Sequence, residues 1–217
     1  MFEQVLPRNA KKSLDSLGQS GLLKTAYLAG GTALALQIGH RISVDFDFFT
    51  TEHFDAAVLG NRLEQKVSGF VKERVDKNTL LGIVNKTKFS LFSYVYPLVA
   101  KPVNFLQIPI ASIQDIAAMK VAAIADRGIK RDFIDLYFIV RKEKTVSLEE
   151  TLLLYDKKFK TLQKNAVHIF RSLTFFEEAE QTNMPEMLKA VEWKDVKKFF
   201  ETETKYVAKR VFYANRN

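Results

Sequence analysis

The segment Leu28 to Phe49, LAGGTALALQIGHRISVDFDFF, constrains this chain more than any other stretch. It opens on two glycines and a threonine. An apolar helical run over Ala33–Ile38 follows, stopped by Gly39, and the segment closes on a strand over Ile42–Phe49 that carries two acids one residue apart. Side chains of a strand alternate faces, so Asp45 and Asp47 point one way and Val44, Phe46 and Phe48 the other, into a core. Carboxylates roughly 7 Å apart along a backbone can converge on one hard cation. Mg²⁺ is commonly held by one or two carboxylates plus substrate phosphates. Gly30-Gly31-Thr32 precedes the helix, where bare backbone admits a phosphate and free N–H groups favour an anion. Each half also has a plainer reading: Thr32 as a helix N-cap, and Asp-Phe-Asp as an edge strand with a solvated face. A phosphate cradle, one short helix and a carboxylate pair in succession favour phosphoryl or nucleotidyl transfer.

The rest of the chain predicts an αβ start and a helical end. A helix is expected over 8–19, with Leu14 and Leu17 inward. Thr51 is expected to cap a helix over 52–67 whose apolar face is Phe54, Val58, Leu59, Leu63 and Val67. Strand-like runs follow at Gly69–Val75, Leu80–Val84, Lys88–Tyr96 and Pro102–Ile108, the third apolar on both faces and so interior to a sheet. From Ser112 the pattern turns helical: to about Arg127, then 130–142 with Phe133, Leu136, Tyr137 and Val140 on one face, then Ser147–Phe159, Thr161–Leu173 and Pro185–Val211, the last broken near Glu201–Thr204. The fold class expected is α+β with a mixed sheet. Residues 1–110 form the αβ core and 111–217 a helical region that completes the active site.

Composition excludes several classes. The 217 residues contain no cysteine, so neither disulfides nor a thiolate zinc site can form. No run of 18 apolar residues and no apolar leader core are present, so no membrane span is expected and the cytoplasm is the default location. The three histidines show no HExxH spacing, and neither GxxxxGK[ST] nor GxSxG occurs. His40 and Arg41 could touch phosphate but read first as loop. The net charge of +8 is spread evenly, with 17 Lys+Arg against 13 Asp+Glu in residues 1–140 and 16 against 12 in 141–217. Such a balance favours an anionic partner such as RNA.

A second constellation lies in DIAAMKVAAIADRGIKRDFIDLYFI, Asp115 to Ile139. Lys120 on an alanine-rich helix reads by default as a solvated residue; its functional reading is a point charge for a triphosphate. Asp132 and Asp135 share a helix face at i, i+3, and Arg131 could pair with Asp135 at i, i+4. A plainer reading makes Asp132 a helix N-terminal acid and Asp135 half of a local ion pair.

GGT…DFD resembles the first motif of the polymerase β-like nucleotidyltransferase superfamily. The fuller wording of Leu28–Phe49, together with Asp115–Ile139, resembles the AbiEii/AbiGii family of abortive-infection toxins, over roughly residues 20 to 140. The resemblance implies a toxin that transfers a nucleotide from an NTP to an RNA acceptor such as tRNA, with Mg²⁺ or Mn²⁺ and with a cognate antitoxin protein as partner. It implies Asp45 and Asp47 as metal ligands and Asp45, Asp47, Lys120, Asp132 and Asp135 as the catalytic set. Gly30, Gly31, Thr32, Ser43 and Arg131 would hold the nucleotide. An acid of the RD-x-x-D group would orient Lys120 or an arginine, or help deprotonate the attacking hydroxyl, with Asp135 favoured over Asp132. One departure stands out. Many enzymes of the superfamily carry a third carboxylate on a later strand, and no Asp or Glu occurs between Asp76 and Asp115; Ser90, Phe92 and Tyr94 stand there instead. Two acids plus phosphates could suffice, or a helix acid could substitute, or the protein could bind without catalysis. Transfer to a small molecule, as in antibiotic-modifying enzymes of this fold, is a further alternative.

Overall fold

The computed structural model describes residues 1–214, with side chains through residue 210. The chain divides into two compact units, Met1–Ser112 and Ile113–Asn217. Among the described residues no helix is long and apolar enough to cross a membrane.

The first unit is built on one mixed sheet of seven strands in the order β3-β4-β5-β2-β1-β7-β6. These are β1 (Tyr27–Ala29), β2 (Phe46–Thr50), β3 (Phe70–Asp76), β4 (Thr79–Val84), β5 (Thr87–Ser93), β6 (Val103–Phe105) and β7 (Ile108–Ile110). Strand β2 pairs antiparallel with β1 and parallel with β5, so it is interior and hydrogen-bonded on both edges. Its alternation decides its faces. Phe46 and Phe48 are fully buried, and burial of each such ring contributes about 2–3 kcal/mol. Phe48 packs on Phe89 of β5, which in turn meets Phe70 of β3. Helices α1 (Arg8–Gln19), α2 (Gly30–Ile38) and α3 (Ala56–Lys66) complete the unit. In α2, Ala33, Leu34, Ala35 and Leu36 are all buried, and Gly39 ends the helix in the left-handed conformation.

Several boundaries differ from the sequence reading. Strand β2 begins at Phe46, so Asp45 lies in the extended lead-in, and Val44 is 36% exposed, outside the core. Helix α3 is capped by Asp55, whose side chain accepts from Val58 N at 2.9 Å, and Thr51 is not its cap. An aspartate satisfies the free N–H groups of a first turn as well as a threonine does. Val58 is 53% exposed, and Leu63 and Val67 bear on the core instead. The run Pro102–Ile108 is a tight hairpin, β6 turning into β7 through Leu106 and Gln107, both at positive φ.

The second unit is helical: α4 (Ile113–Asp126), α5 (Lys130–Tyr137) continuing into a π-helical turn over Phe138–Lys142, α6 (Leu148–Phe159), α7 (Leu162–Ser172), α8 (Glu177–Glu180) and α9 (Trp193–Ala214). Helix α6 starts with a capping box, Ser147 and Glu150 each accepting from the other's backbone N–H. Phe133 on α5 is the hub of an aromatic cluster, its ring 5.1 Å from Phe176, 5.3 Å from Phe200 and 6.0 Å from Trp193. The final helix starts at Trp193 rather than Pro185 and is unbroken at Glu201–Thr204. Val196, Phe200, Thr204 and Val207 form one buried stripe along it.

Candidate active site

In the first unit the sheet delivers the carboxylates to the glycine turn. Asp47 stands between Ala29 of β1 and Ser90 of β5 in register. From Ala29 the chain turns at once into α2 through Gly30, whose φ of +69° is open to glycine at little cost. A Cβ on Gly30 would lie 3.1 Å from Asp47 Oδ2, so the bare backbone is what lets the turn sit against the carboxylate. The other oxygen, Oδ1, accepts the Ser90 hydroxyl at 2.6 Å. Ser90 thus occupies the strand position beside Asp47 and orients it with a neutral donor.

Asp45 is fixed through its backbone. Thr32 Oγ1 donates to the Asp45 carbonyl at 2.6 Å and lies 3.0 Å from Ser43 Oγ. Thr32 is 1% exposed and makes no side-chain cap; α2 has Ala29 at its N-cap position. Its hydroxyl therefore ties the first turn of α2 to the acidic segment. Gly31 serves the same crowding, because a Cβ there would overlap Arg41 Nη2 and lie 3.1 Å from Ser43 Oγ. Arg41 is 4% exposed, and its Nη1 donates to the Ile42 carbonyl at 3.1 Å. Sequence reasoning set Arg41 aside as loop. The signal that could have recovered it is the second glycine, which makes room for a large group. His40 is fully buried in the same loop.

The donor set suits a hard cation. Two half-buried carboxylates present oxygen ligands, the sequence contains no thiol, and Asp47 is pre-oriented by Ser90. Among the described residues no group of three or more His, Cys, Asp or Glu is placed to hold a metal. A cation on Asp45 and Asp47 would therefore be completed by phosphate and water, the coordination Mg²⁺ commonly keeps.

The second unit holds the other constellation, and it is buried. Lys120 is 5% exposed, not solvated. Its Nζ lies 2.8 Å from Asp132 Oδ1 and 2.7 Å from Asp135 Oδ2, both carboxylates fully buried. Arg127 reaches Asp132, with Nε donating to Oδ2 at 3.0 Å; Arg131, expected to pair with Asp135, is exposed. Burial pushes the Asp132 carboxyl up, but the Lys120 and Arg127 charges and hydrogen bonds outweigh it and hold it below the ordinary carboxylate range. A group lowered in this way stabilises the fold above its unfolded value, near 3.9, and that contribution is lost as pH falls through the folded value. Urea midpoints of the wild type should therefore fall as pH drops below about 4, and less steeply in Asp132→Asn. Parallel slopes would show that the pair does not control the acid limb.

A further buried pair, missed in the sequence, links Lys158 of α6 to Asp115 of α4 at 3.0 Å, both side chains fully buried. His168 Nε2 lies 3.0 Å from the Ala125 carbonyl, a structural contact.

The mixed sheet of the first unit sets the Asp47 carboxylate against a glycine turn at a helix start, which pairs a cation ligand with an anion-accepting turn. The profile described as "Nucleotidyl transferase AbiEii toxin, Type IV TA system" matches residues 12–97 and 86–210. The chain belongs to this AbiEii family of nucleotidyltransferases. It is 38% identical over 206 residues to the protein aq_aa25 of Aquifex aeolicus (strain VF5), covering 92% of this chain and 96% of that one. Its fold is similar to that of MenT4, a nucleotidyltransferase toxin of Mycobacterium tuberculosis H37Rv, with a TM-score of 0.60 at 16% identity over 92% of this chain and 86% of that one. It is also similar to JHP933 of Helicobacter pylori, with a TM-score of 0.53 at 15% identity over 97% of each chain.

Proposed function

We propose that this nucleotidyltransferase acts as a toxin that moves a nucleotide from an NTP to an RNA acceptor such as tRNA, using a divalent cation, Mg²⁺ or Mn²⁺, on Asp45 and Asp47. The observation that carries the reading is the Asp47 carboxylate set against Gly30 at the start of α2, which puts an oxygen ligand beside an anion-accepting turn. The cation, when bound, supplies charge neutralisation at the phosphates. Gly30 and Gly31 offer backbone to the triphosphate. Thr32 and Ser43 keep the turn and the acids in register, and Ser90 keeps Asp47 aimed. The acceptor hydroxyl oxygen bonds to the α-phosphorus, the bond to the β-phosphate oxygen breaks, and pyrophosphate and a proton leave.

Lys120 contributes a cation whose position is set by Asp132 and Asp135, so these acids act in this reading as positioning groups. An ion-paired, fully buried Asp135 suits that role better than the role of base. The exposed Arg131 is available to an acceptor phosphate. Charge fits an RNA acceptor, since the +8 balance favours phosphate contacts. A cognate antitoxin is the partner the family implies, and cytoplasmic action follows from an RNA substrate.

The test is incubation with each α-labelled NTP, Mg²⁺ or Mn²⁺, and total RNA, fractionated by size. Label is expected in one RNA class, with pyrophosphate released. Label in a small molecule would redirect the acceptor, and NTP binding with no transfer to RNA, protein or small molecule would remove the catalytic reading.

A further inference from the structure

We propose that the aromatic row Phe49, Phe92, Tyr94 and Tyr96, on the same sheet face as Asp47, is a platform on which bases of the RNA acceptor stack. The inference rests on the RNA-acceptor reading above and deepens it by naming where the first unit holds the acceptor strand.

Register builds the row. Asp47 pairs with Ser90 and Phe49 with Phe92, and the Ser90 hydroxyl bond to Asp47 shows that these side chains share one face. Two residues along a strand, Phe49 and Phe92 stand about 7 Å beyond the acid and its serine. The Tyr94 N–H donates to the Thr50 carbonyl at 2.7 Å, which carries the row past the end of β5. The Phe49 ring lies 5.7 Å from Phe92 and 5.1 Å from Tyr94, and Tyr94 lies 5.1 Å from Tyr96.

The two faces of these strands are used differently. On the other face Phe46, Phe48, Phe89 and Leu91 are buried and make the core. Phe49, Phe92, Tyr94 and Tyr96 are only partly buried, although a sheet face left to water is ordinarily polar. Part-exposed rings in a row suit single-stranded RNA, whose unpaired bases stack on aromatic side chains with little regard to sequence. The Asn78 carbonyl accepts from Ser93 N at 2.9 Å, which sets the exposed Lys77 at the border of the row, where a strand phosphate can meet it.

Order along the face selects the acceptor over the incoming nucleotide. Strand β1 pairs Ala29 with Asp47 and Tyr27 with Phe49, and Gly30 follows Ala29. The glycine turn and the aromatic row therefore lie on opposite sides of Asp47. In-line displacement needs attacking and leaving oxygens on opposite sides of the phosphorus. With the departing pyrophosphate at the glycine turn, the attacking hydroxyl arrives from the aromatic side, on the strand whose bases stack there.

The experiment is fluorescence anisotropy of the full-length protein with a short labelled oligoadenylate and with an abasic strand of the same length. Wild type, Phe92→Leu, Tyr94→Leu and Tyr94→Phe are compared, with NTP affinity measured beside them by calorimetry. The leucine variants should bind the oligoadenylate about 5- to 150-fold more weakly, the scale of one lost base–aromatic stack. Their affinity for the abasic strand and for NTP should match wild type, and Tyr94→Phe, which keeps the ring, should match it throughout. Equal effects on both strands, or none, would make the row a structural cluster and overturn the proposal. Weakened NTP binding with oligoadenylate binding intact would give the row to the incoming nucleotide and also overturn it. If the leucine variants do not fold, the wild type decides: a preference for the base-bearing strand supports stacking, and equal affinities overturn it. A wild type that labels RNA yet binds both strands alike ends the stacking proposal alone, whereas one that binds neither strand and labels no RNA ends the RNA reading as well.

Discussion

Asp47→Asn should lower nucleotide transfer by at least about 100-fold, the scale seen when one preorganised electrostatic partner of a transition state is removed. Asparagine keeps the shape of the side chain, and its Oδ1 can still accept the Ser90 hydroxyl that Asp47 accepts at 2.6 Å. What it loses is the charge that a reluctantly dehydrated Mg²⁺ requires. Two carboxylates that share one cation repel one another without it. The unliganded variant should therefore melt at the wild-type temperature or slightly above it, while the shift induced by Mg²⁺ and NTP is lost. Thermal melts of both proteins with and without Mg²⁺ and NTP, beside the labelled-transfer assay, check this. Equal ligand-induced stabilisation in the two would place the cation elsewhere.

The first unit was the more legible because its signals are short-range. Alternation in Phe46-Asp47-Phe48 fixes the faces of β2 whatever its partners, and Gly-Gly followed by a solid apolar run marks a turn into a buried helix. The lack of an acid between Asp76 and Asp115 was also visible, but its meaning was not. Only the register shows that Ser90 sits beside Asp47 and donates to it. Arg41 reads first as loop because no periodicity says where a loop arginine points; the place its side chain reaches is marked only by the absent side chain at Gly31, ten residues earlier in the sequence.

The second unit misled in a different way. Spacing and composition alone make Lys120 by default a solvated residue, because alanine-rich helices often carry lysine outward; only the family resemblance places it in the site. Here Ile116, Ala117, Ala118, Val121 and Ile124 are buried, so α4 is enclosed on most sides and its lysine must bring partners with it. Those partners come from a different helix, and sequence spacing within α5 suggested only a local pair. The polar run Glu201–Thr204 suggested a break in α9. Thr204 instead continues the stripe of Val196, Phe200 and Val207, at 3% exposure, because a threonine fits an apolar stripe when its neighbours cover it. The stripe was readable at i, i+4, i+8, i+11, but a threonine at its third position concealed it.

Lys120→Ala should destabilise the protein by about 3–5 kcal/mol, the cost of taking one charge out of a buried ion pair. The ammonium stands 2.8 Å from Asp132 and 2.7 Å from Asp135, both fully buried, so its removal takes one charge away from two buried carboxylates. Arg127 still serves Asp132. An alanine substitution therefore cannot report on catalysis alone, because lost activity and lost fold would coincide. Lys120→Met combined with Asp135→Leu removes both charges of one pair and leaves Asp132 with Arg127. Replacing a buried pair by apolar groups of similar volume is often neutral or better. Urea midpoints should fall sharply for Lys120→Ala and return to near wild type in the double variant. On the proposed role of Lys120 as a positioned cation, activity should not return with the fold. A double variant that folds and transfers nucleotide at the wild-type rate would make Lys120 and Asp135 a structural pair and leave the chemistry to the first unit.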